Sequence, residues 1–322
     1  MKSRPQSLSL IVPCYNEAEG LPELFERIEK VAKDWPENYE VICIDDGSSD
    51  ATAALLREQH EKNPKWKALL FSRNFGHQAA VSAGLEASTG ETVAIIDADL
   101  QDPPELIAEL IEKWREGYEV VYAVRKKRKE GLLKRTAYFY FYRLMKSMTE
   151  IKDFPLDSGD FSLLDRKVVD TLVAFPEKNR FLRGLRAWSG YRQIGVEYER
   201  SARFAGEPKY TFKKLLHLAA DGLLSFSGVP LRIAAYLGCF ISILSTAMAT
   251  FFIVQKIFPA PFVKIGLPIV PGFAATIVAV LFFGGVQLLF LGVIGEYLNR
   301  IYTEVKGRPG YLVAERLGIE KS

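Results

Sequence analysis

The chain has 322 residues, 48% of them hydrophobic and 25% charged, so it is long enough for one large or two modest domains and too apolar to be disordered. A formal net charge of +3 is too small to point to nucleic acid, and Cys14, Cys43 and Cys239 are too widely spaced for a disulfide framework or a metal site, which fits a reducing, cytoplasmic setting. The averages hide a split: 233–254 and 265–295 carry no charged residue, whereas everything before Pro230 is densely charged. A charged domain followed by two hydrophobic spans is expected, since about 20 apolar residues cross a bilayer core. The start, MKSRPQSLSLIVPCYNE, holds only a strand-length apolar run, so no signal peptide is expected.

Residues 8–12 form a short apolar run closed by Pro13, and 39–44 a second closed by Asp45-Asp46-Gly47; both read as buried parallel strands. Between them Leu21, Leu24, Phe25, Ile28 and Val31 recur at helical spacing. Ser48, Ser49 and Asp50 offer an N-cap to a helix over 51–60. A third strand over 67–71, a helix over 78–87 and a fourth strand over 92–96 follow, the last running straight into Asp97. The order predicts an α/β fold, a doubly wound sheet covered by helices, with ligands just beyond the carboxyl ends of the strands. Those ends are polar: Tyr15-Asn16-Glu17, Asp45-Asp46, Arg73-Asn74 and Asp97-Ala98-Asp99 point to one cleft.

No G-x-G-x-x-G or G-x-x-x-x-G-K-[ST] follows any of these strands, so phosphates must be neutralised another way. Asp97-Ala98-Asp99 places two carboxylates on the same side of an extended segment, which suits a hard divalent cation that also takes diphosphate oxygens. Gln101 adds another oxygen ligand, and Pro103-Pro104 ends the loop. Carboxylates so spaced also serve as turn or capping residues.

Pro13-Cys14-Tyr15-Asn16-Glu17, Asp45-Asp46-Gly47-Ser48-Ser49-Asp50, Asn74-Phe75-Gly76-His77 and the segment from Asp97 through Asp99, Gln101 and Pro103-Pro104-Glu105 together resemble the motif series of family 2 glycosyltransferases with the GT-A (Rossmann-like) fold. The branch resembled is the polyprenyl-phosphate one, of dolichol-phosphate mannose synthase and bactoprenol glucosyltransferase, and the likeness extends to the two C-terminal spans. It implies that Pro13, Tyr15, Glu17, Asp45 and Asp46 hold the base and ribose of a nucleotide-sugar. Asp97 would lie near ribose and metal, with Asp99 and Gln101 as ligands of Mg²⁺ or Mn²⁺. For Asp45 and Asp46 the plain alternative is helix capping, and His77 reads as a turn residue outside the catalytic set.

Residues 125–135 hold seven cations beside the aromatic run Tyr138-Phe139-Tyr140-Phe141-Tyr142, which suits an anionic lipid head group. The resemblance assigns Arg125 and Arg135 to the acceptor phosphate, with Arg128 and Lys134 as rivals to Arg135. Asp157-Ser158-Gly159-Asp160-Phe161 resembles the segment under the transferred sugar, where Asp157 orients sugar or nucleophile or simply caps the next helix. Arg203 and Lys209, in a loop resembling R-x-x-G-x-x-K-Y, would close on the diphosphate; Glu207-Pro208 replaces the usual small residue and Ser.

The expected division is a cytoplasmic catalytic domain over 1–211, an amphipathic juxtamembrane helix over 212–229, two transmembrane helices over 230–299, the second near 273–295, and a cytoplasmic tail over 300–322. Arg232, Arg300, Lys306 and Arg308 flank the spans against Lys256 and Lys264 in their connection, which favours both termini inside and a multi-pass protein of the plasma (inner) membrane. The expected activity is inverting transfer of one sugar, first choice glucose from UDP-glucose, onto undecaprenyl or another polyprenyl phosphate for cell-envelope glycans. GDP-mannose or another nucleotide-sugar, a polysaccharide synthase and a non-enzymatic nucleotide-binding scaffold are the alternatives. The segment from Arg180 to Trp188 offers no Q-x-x-R-W element of a processive synthase. Association through the spans into a dimer or tetramer stays open.

Overall fold

The computed structural model describes residues 2–125, 158–178, 180–199, 229–258, 260 and 272–320. Four parallel strands form the centre of an eight-stranded sheet: β1 (Ser7–Cys14), β2 (Asn38–Asp45), β3 (Trp66–Phe71) and β4 (Thr92–Ile95), side by side as β3-β2-β1-β4. They are mostly apolar because both faces are covered. Leu8, Leu10, Val12 and Cys14 pack with Leu21, Leu24 and Ile28 of α1 (Leu21–Val31) and Ile107, Leu110 and Ile111 of α4 (Ile107–Arg115). Ile11 and Ile44 face the other way, toward α3 (His77–Ala87), where a Cβ on Gly84 would come within 2.4 Å of Ile11 Cγ2. Only a glycine lets that helix sit so close to the sheet. Pro13 is tolerated in β1 because pairing with β4 stops at Ile11.

The helix between β2 and β3, α2 (Thr52–Lys62), has Ala51, not Ser48, Ser49 or Asp50, at its N-cap position, and Asp50 just before it accepts from Thr52 N with Oδ1 at 3.0 Å. Beyond β4 the sheet continues through β6 (Ser158–Asp165), antiparallel to β4, then β5 (Val120–Arg125) and β7 (Gln193–Tyr198). Two helices, α5 (Arg166–Ala174) and α6 (Leu182–Trp188), lie between β6 and β7 in the chain. On the opposite edge β8 (Val313–Leu317) runs antiparallel to β3, with Ala68 opposite Leu317 and Leu70 opposite Glu315. Sequence reading alone assigns no strand to 158–165 or 313–317.

The chain divides into two compact units, Met1–Ser225 with Gly307–Ser322, and Phe226–Lys306. The second contains α7 (Val229–Ile257) and α8 (Phe273–Val305). Their stretches Ala234–Gln255 and Phe282–Val305 are long and apolar enough to cross a membrane, and side chains such as Phe240, Ile243, Leu288 and Leu291 are exposed. Helix α8 covers the expected span 273–295 and continues to Val305. The expected surface helix over 212–229 falls, up to residue 228, outside the described residues.

Candidate active site

The loops after the four parallel strands are tied to one another at the carboxyl edge of the sheet. Asn16, in the left-handed region at φ 53°, donates its N–H to Ser48 Oγ at 2.9 Å and accepts from Ser49 N at 2.9 Å. Glu17 N reaches Thr52 Oγ1 at 3.0 Å, and Ala18 N reaches Asp50 Oδ2 at 3.1 Å. The Tyr15-Asn16-Glu17 loop is thus hung on the loop after β2, with Tyr15 left 40% exposed.

The two aspartates after β2 are both buried and have different jobs. Asp45 Oδ1 accepts from Ser48 N at 3.1 Å and from the Ser48 hydroxyl. Asp46 divides its oxygens: Oδ1 accepts from Phe75 N at 2.6 Å and Oδ2 from Gly76 N at 2.9 Å, fastening the loop after β3. Burial pushes both carboxyls above the usual range, against these hydrogen bonds. Gly47, at φ +67°, lies against that same loop, where an added Cβ would meet the Arg73 carbonyl carbon at 2.3 Å. Neither aspartate caps α2, whose first N–H is met by Asp50; Asp45 and Asp46 brace the site's loops.

The D-x-D segment is not extended. The chain turns at Ala98-Asp99, Leu100 adopts φ 59°, and Gln101 N donates to Asp99 Oδ1 at 3.2 Å. β4 ends at Ile95, so no ladder holds these residues straight, and the alternation of side chains assumed for a strand does not apply. Asp97 is 31% exposed by its side chain, yet its Oδ1 is buried and accepts no hydrogen bond among the described residues. Burial pushes its carboxyl up to about 6; His77 opposes the rise, and the charges of Asp102, Asp160 and Asp99 add to it.

His77 opens α3 and its Nε2 lies 3.1 Å from Asp160 Oδ2 and 3.7 Å from Asp97 Oδ1. Burial disfavours its charge, but 42% of the side chain is open, and the Asp160 hydrogen bond with the two carboxylate charges raises it to about 9. Asp160, 7% exposed, is held well below the usual carboxylate range despite burial, by Arg183 and His77. Arg186 is 4% exposed, lies 5.3 Å over the Tyr122 ring, and burial lowers it to about 10. Asp102, also buried, accepts from the Tyr198 hydroxyl.

The structure thus brings together Pro13, Tyr15, Glu17, Asp45, Asp46, Asp97, Asp99 and Gln101 at one edge of the sheet. It adds His77, which sequence reading left out of the catalytic set, and Asp160, which it placed in the segment resembling the one under the transferred sugar without a role of its own; the available signal for His77 was a histidine following a glycine in the loop after β3. Arg125 ends β5. Arg128, Lys134, Arg135, Asp157, Arg203 and Lys209 lie outside the described residues. Among the described residues no three His, Cys, Asp or Glu side chains converge as a ready metal cage. The fit to a divalent cation rests instead on Asp97, whose buried, undonated oxygen stands among like charges that a cation would relieve.

The model of the family described as glycosyl transferase family 2 matches residues 9–173. An uncharacterized glycosyltransferase of Synechocystis sp. is 48% identical over 314 residues, covering 97% of this chain and 96% of its own. The bactoprenol glucosyl transferase of Shigella phage SfX is 40% identical, covering 96% of this chain and 99% of its own. Among solved structures, the Pyrobaculum calidifontis mannosyltransferase in complex with GDP-Man and Mn²⁺ superposes with a TM-score of 0.50 at 21% identity, over 92% of this chain and 88% of that one, a likeness of fold. The sheet is that of the GT-A fold, and, with relatives alike from end to end, this chain belongs to glycosyl transferase family 2.

Proposed function

We propose that the protein is a membrane-bound, metal-dependent inverting glycosyltransferase that moves one sugar, glucose from UDP-glucose, onto a polyprenyl phosphate. The observation that carries the reading is the meeting of four strand-end loops around Asp97, a carboxylate with a buried oxygen that accepts no hydrogen bond among the described residues, in a chain 40% identical to a phage bactoprenol glucosyl transferase. The two long apolar helices support a membrane location, with the charged unit on the cytoplasmic side where nucleotide-sugars are made.

Tyr15 and Glu17 would lie against the nucleotide, on a loop frame stiffened by Asp45 and Asp46. Asp97 and Asp99, with Gln101, would hold Mg²⁺ or Mn²⁺, which supplies positive charge against the diphosphate when bound. Arg125, Arg128 and Arg135 would hold the acceptor phosphate and Asp157 would orient the sugar. A phosphate oxygen of the lipid attacks C1 of the sugar, the bond from C1 to the diphosphate oxygen breaks, and the electron pair leaves with the nucleotide. Arg203 and Lys209 take up the charge of that leaving group. The attacking phosphate is already an anion, so the step needs no general base. One in-line displacement inverts the anomeric carbon.

The test is transfer by the purified full-length chain with undecaprenyl phosphate, Mn²⁺ or Mg²⁺ and a panel of radiolabelled nucleotide-sugars, following label into the organic phase. Label from UDP-glucose supports the reading, and label from GDP-mannose instead corrects the donor. Binding of a nucleotide-sugar with no lipid-linked label from any donor would overturn the acceptor, leaving a polysaccharide synthase or a scaffold.

A further inference from the structure

The segment Arg180 to Trp188 entered the sequence reading only through the element it lacks, yet it supplies the main partner of the buried carboxylate beside the site. Asp160 collects three side chains on two oxygens. Oδ1 accepts from Arg183 Nε at 2.8 Å. Oδ2 accepts from Arg183 Nη2 at 3.2 Å and Gln78 Nε2 at 3.3 Å, and faces His77 Nε2 at 3.1 Å. Three of the four contacts fall on Oδ2 and one on Oδ1, so three side chains hold Asp160 as a fixed, ionised acceptor.

What this arrangement can do is aim the ring of His77. The same Nε2 that faces Asp160 lies 3.7 Å from Asp97 Oδ1, the oxygen with no hydrogen-bond donor. Arg183 grips both oxygens of Asp160 and so fixes the plane of the carboxylate, which in turn fixes where Oδ2 meets the histidine. Its helix is tied to the same place, because Leu182 N donates to Gln78 Oε1 at 2.9 Å, next to His77 in the chain. Arg183 is two residues removed from the strand-end site but joined to it by short, directed contacts.

We propose that Arg183 is a positioning residue for the sugar transfer, acting through Asp160 to hold the His77 ring against Asp97. The proposal rests on the reading of Asp97 as part of the donor site. Purely structural ion pairing of Arg183 would also stabilise α6, so the experiment must read the chain of contacts itself.

The full-length chain in detergent is assayed with undecaprenyl phosphate, radiolabelled UDP-glucose and Mn²⁺ as Arg183→Gln, Arg183→Lys, His77→Gln and the His77→Gln/Arg183→Gln double variant. Arg183→Gln is expected to lower kcat about tenfold or more with KM for the lipid within about twofold, as misplacement away from the chemistry does. Arg183→Lys, which keeps the charge but not the two-oxygen grip, is expected to lose about threefold. The double variant is expected to be no slower than the slower single one, because both break the same chain. With only three histidines in the protein, two-bond ¹H–¹⁵N spectra at one fixed pH resolve the His77 ring nitrogens; these should shift in Arg183→Gln and move part-way in Arg183→Lys.

A kcat within about twofold of the parent, single losses that multiply in the double variant, or unmoved His77 signals would each overturn the proposal. Should Arg183→Gln fail to fold, Arg183→Lys decides: parental kcat together with parental ring signals overturns it. Should the unaltered chain transfer sugar from no donor, the acceptor reading has failed, and the histidine spectrum, which needs no substrate, decides this proposal alone.

Discussion

Replacing Asp46 by Asn tests whether this aspartate is a brace for the loop after β3. Its two oxygens accept from Phe75 N at 2.6 Å and Gly76 N at 2.9 Å, and it is 3% exposed. Asn keeps one acceptor and turns an NH₂ toward the second backbone N–H, so one charge-assisted bond is lost and one buried amide is left without a partner. Bonds to charged groups are worth about 1.5–3 kcal/mol, and the burial that raises the Asp46 carboxyl offsets part of that, which leaves a net loss of about 2 kcal/mol. For a unit of this size the thermal midpoint should fall by about 4–8 °C. The assay is thermal unfolding in detergent at pH 7, with hydrogen exchange of the peptide containing Phe75 and Gly76 as the local readout. Faster exchange there should accompany the lower midpoint. A midpoint within about 1 °C of the parent, with exchange unchanged, would refute the bracing role.

Gly47→Ala places a Cβ 2.3 Å from the Arg73 carbonyl carbon at φ +67°, and since the obstacle is backbone the loops must part; a loss of about 3 kcal/mol or more and weakened UDP-glucose binding by calorimetry are expected. Asp99→Ala should abolish metal-dependent turnover in the transfer assay, and full activity would remove Asp99 from the metal site. His77 should make stability pH-dependent. Its folded value near 9 lies above the ordinary 6.5, so its contribution is whole below 6.5 and vanishes as pH rises through 9. With the ring 42% exposed the screened contribution is about 1 kcal/mol. The gap in midpoint between parent and His77→Gln should therefore close between pH 6.5 and 9.5, and a constant gap would argue against it.

The central sheet was legible because each element carries its own signal. Residues 8–12 and 39–44 are mostly apolar runs interrupted only by Ser9 and Glu40, and Leu21, Leu24, Phe25 and Ile28 keep helical period. The strands at the margins carry no such signal. In β6 the run Ser158-Gly159-Asp160 reads as a loop, and only the pairing of Ser158 with Val124 of β5 draws it into the strand. Val313–Leu317 sets two adjacent charges among three apolar residues, with no alternation to mark a strand, so the edge of β3, far away in the chain, decides its form. Of the site, the carboxylate-rich strand ends were readable from the rule that open α/β sheets bind beyond their carboxyl edge. The turn at Ala98-Asp99 was not, since nothing in D-x-D marks where the ladder stops. The contact between His77 and Asp160, both in segments the sequence singled out, was not foreseen because an ion pair between residues 83 apart is a product of packing, invisible to spacing.

The edge strand β8 sets an order on the making of this protein. It is fastened by the Arg57–Glu315 contact at 2.6 Å and by Tyr311, which stacks on Phe71 and donates to Glu86 at 2.5 Å. Until translation reaches it, the backbone groups of β3 on that side have no partner strand. Both apolar helices are synthesised before it. A chain arrested during synthesis of either helix therefore cannot close its sheet on that side, so pairing of β8 with β3 reports that both apolar helices have already been made.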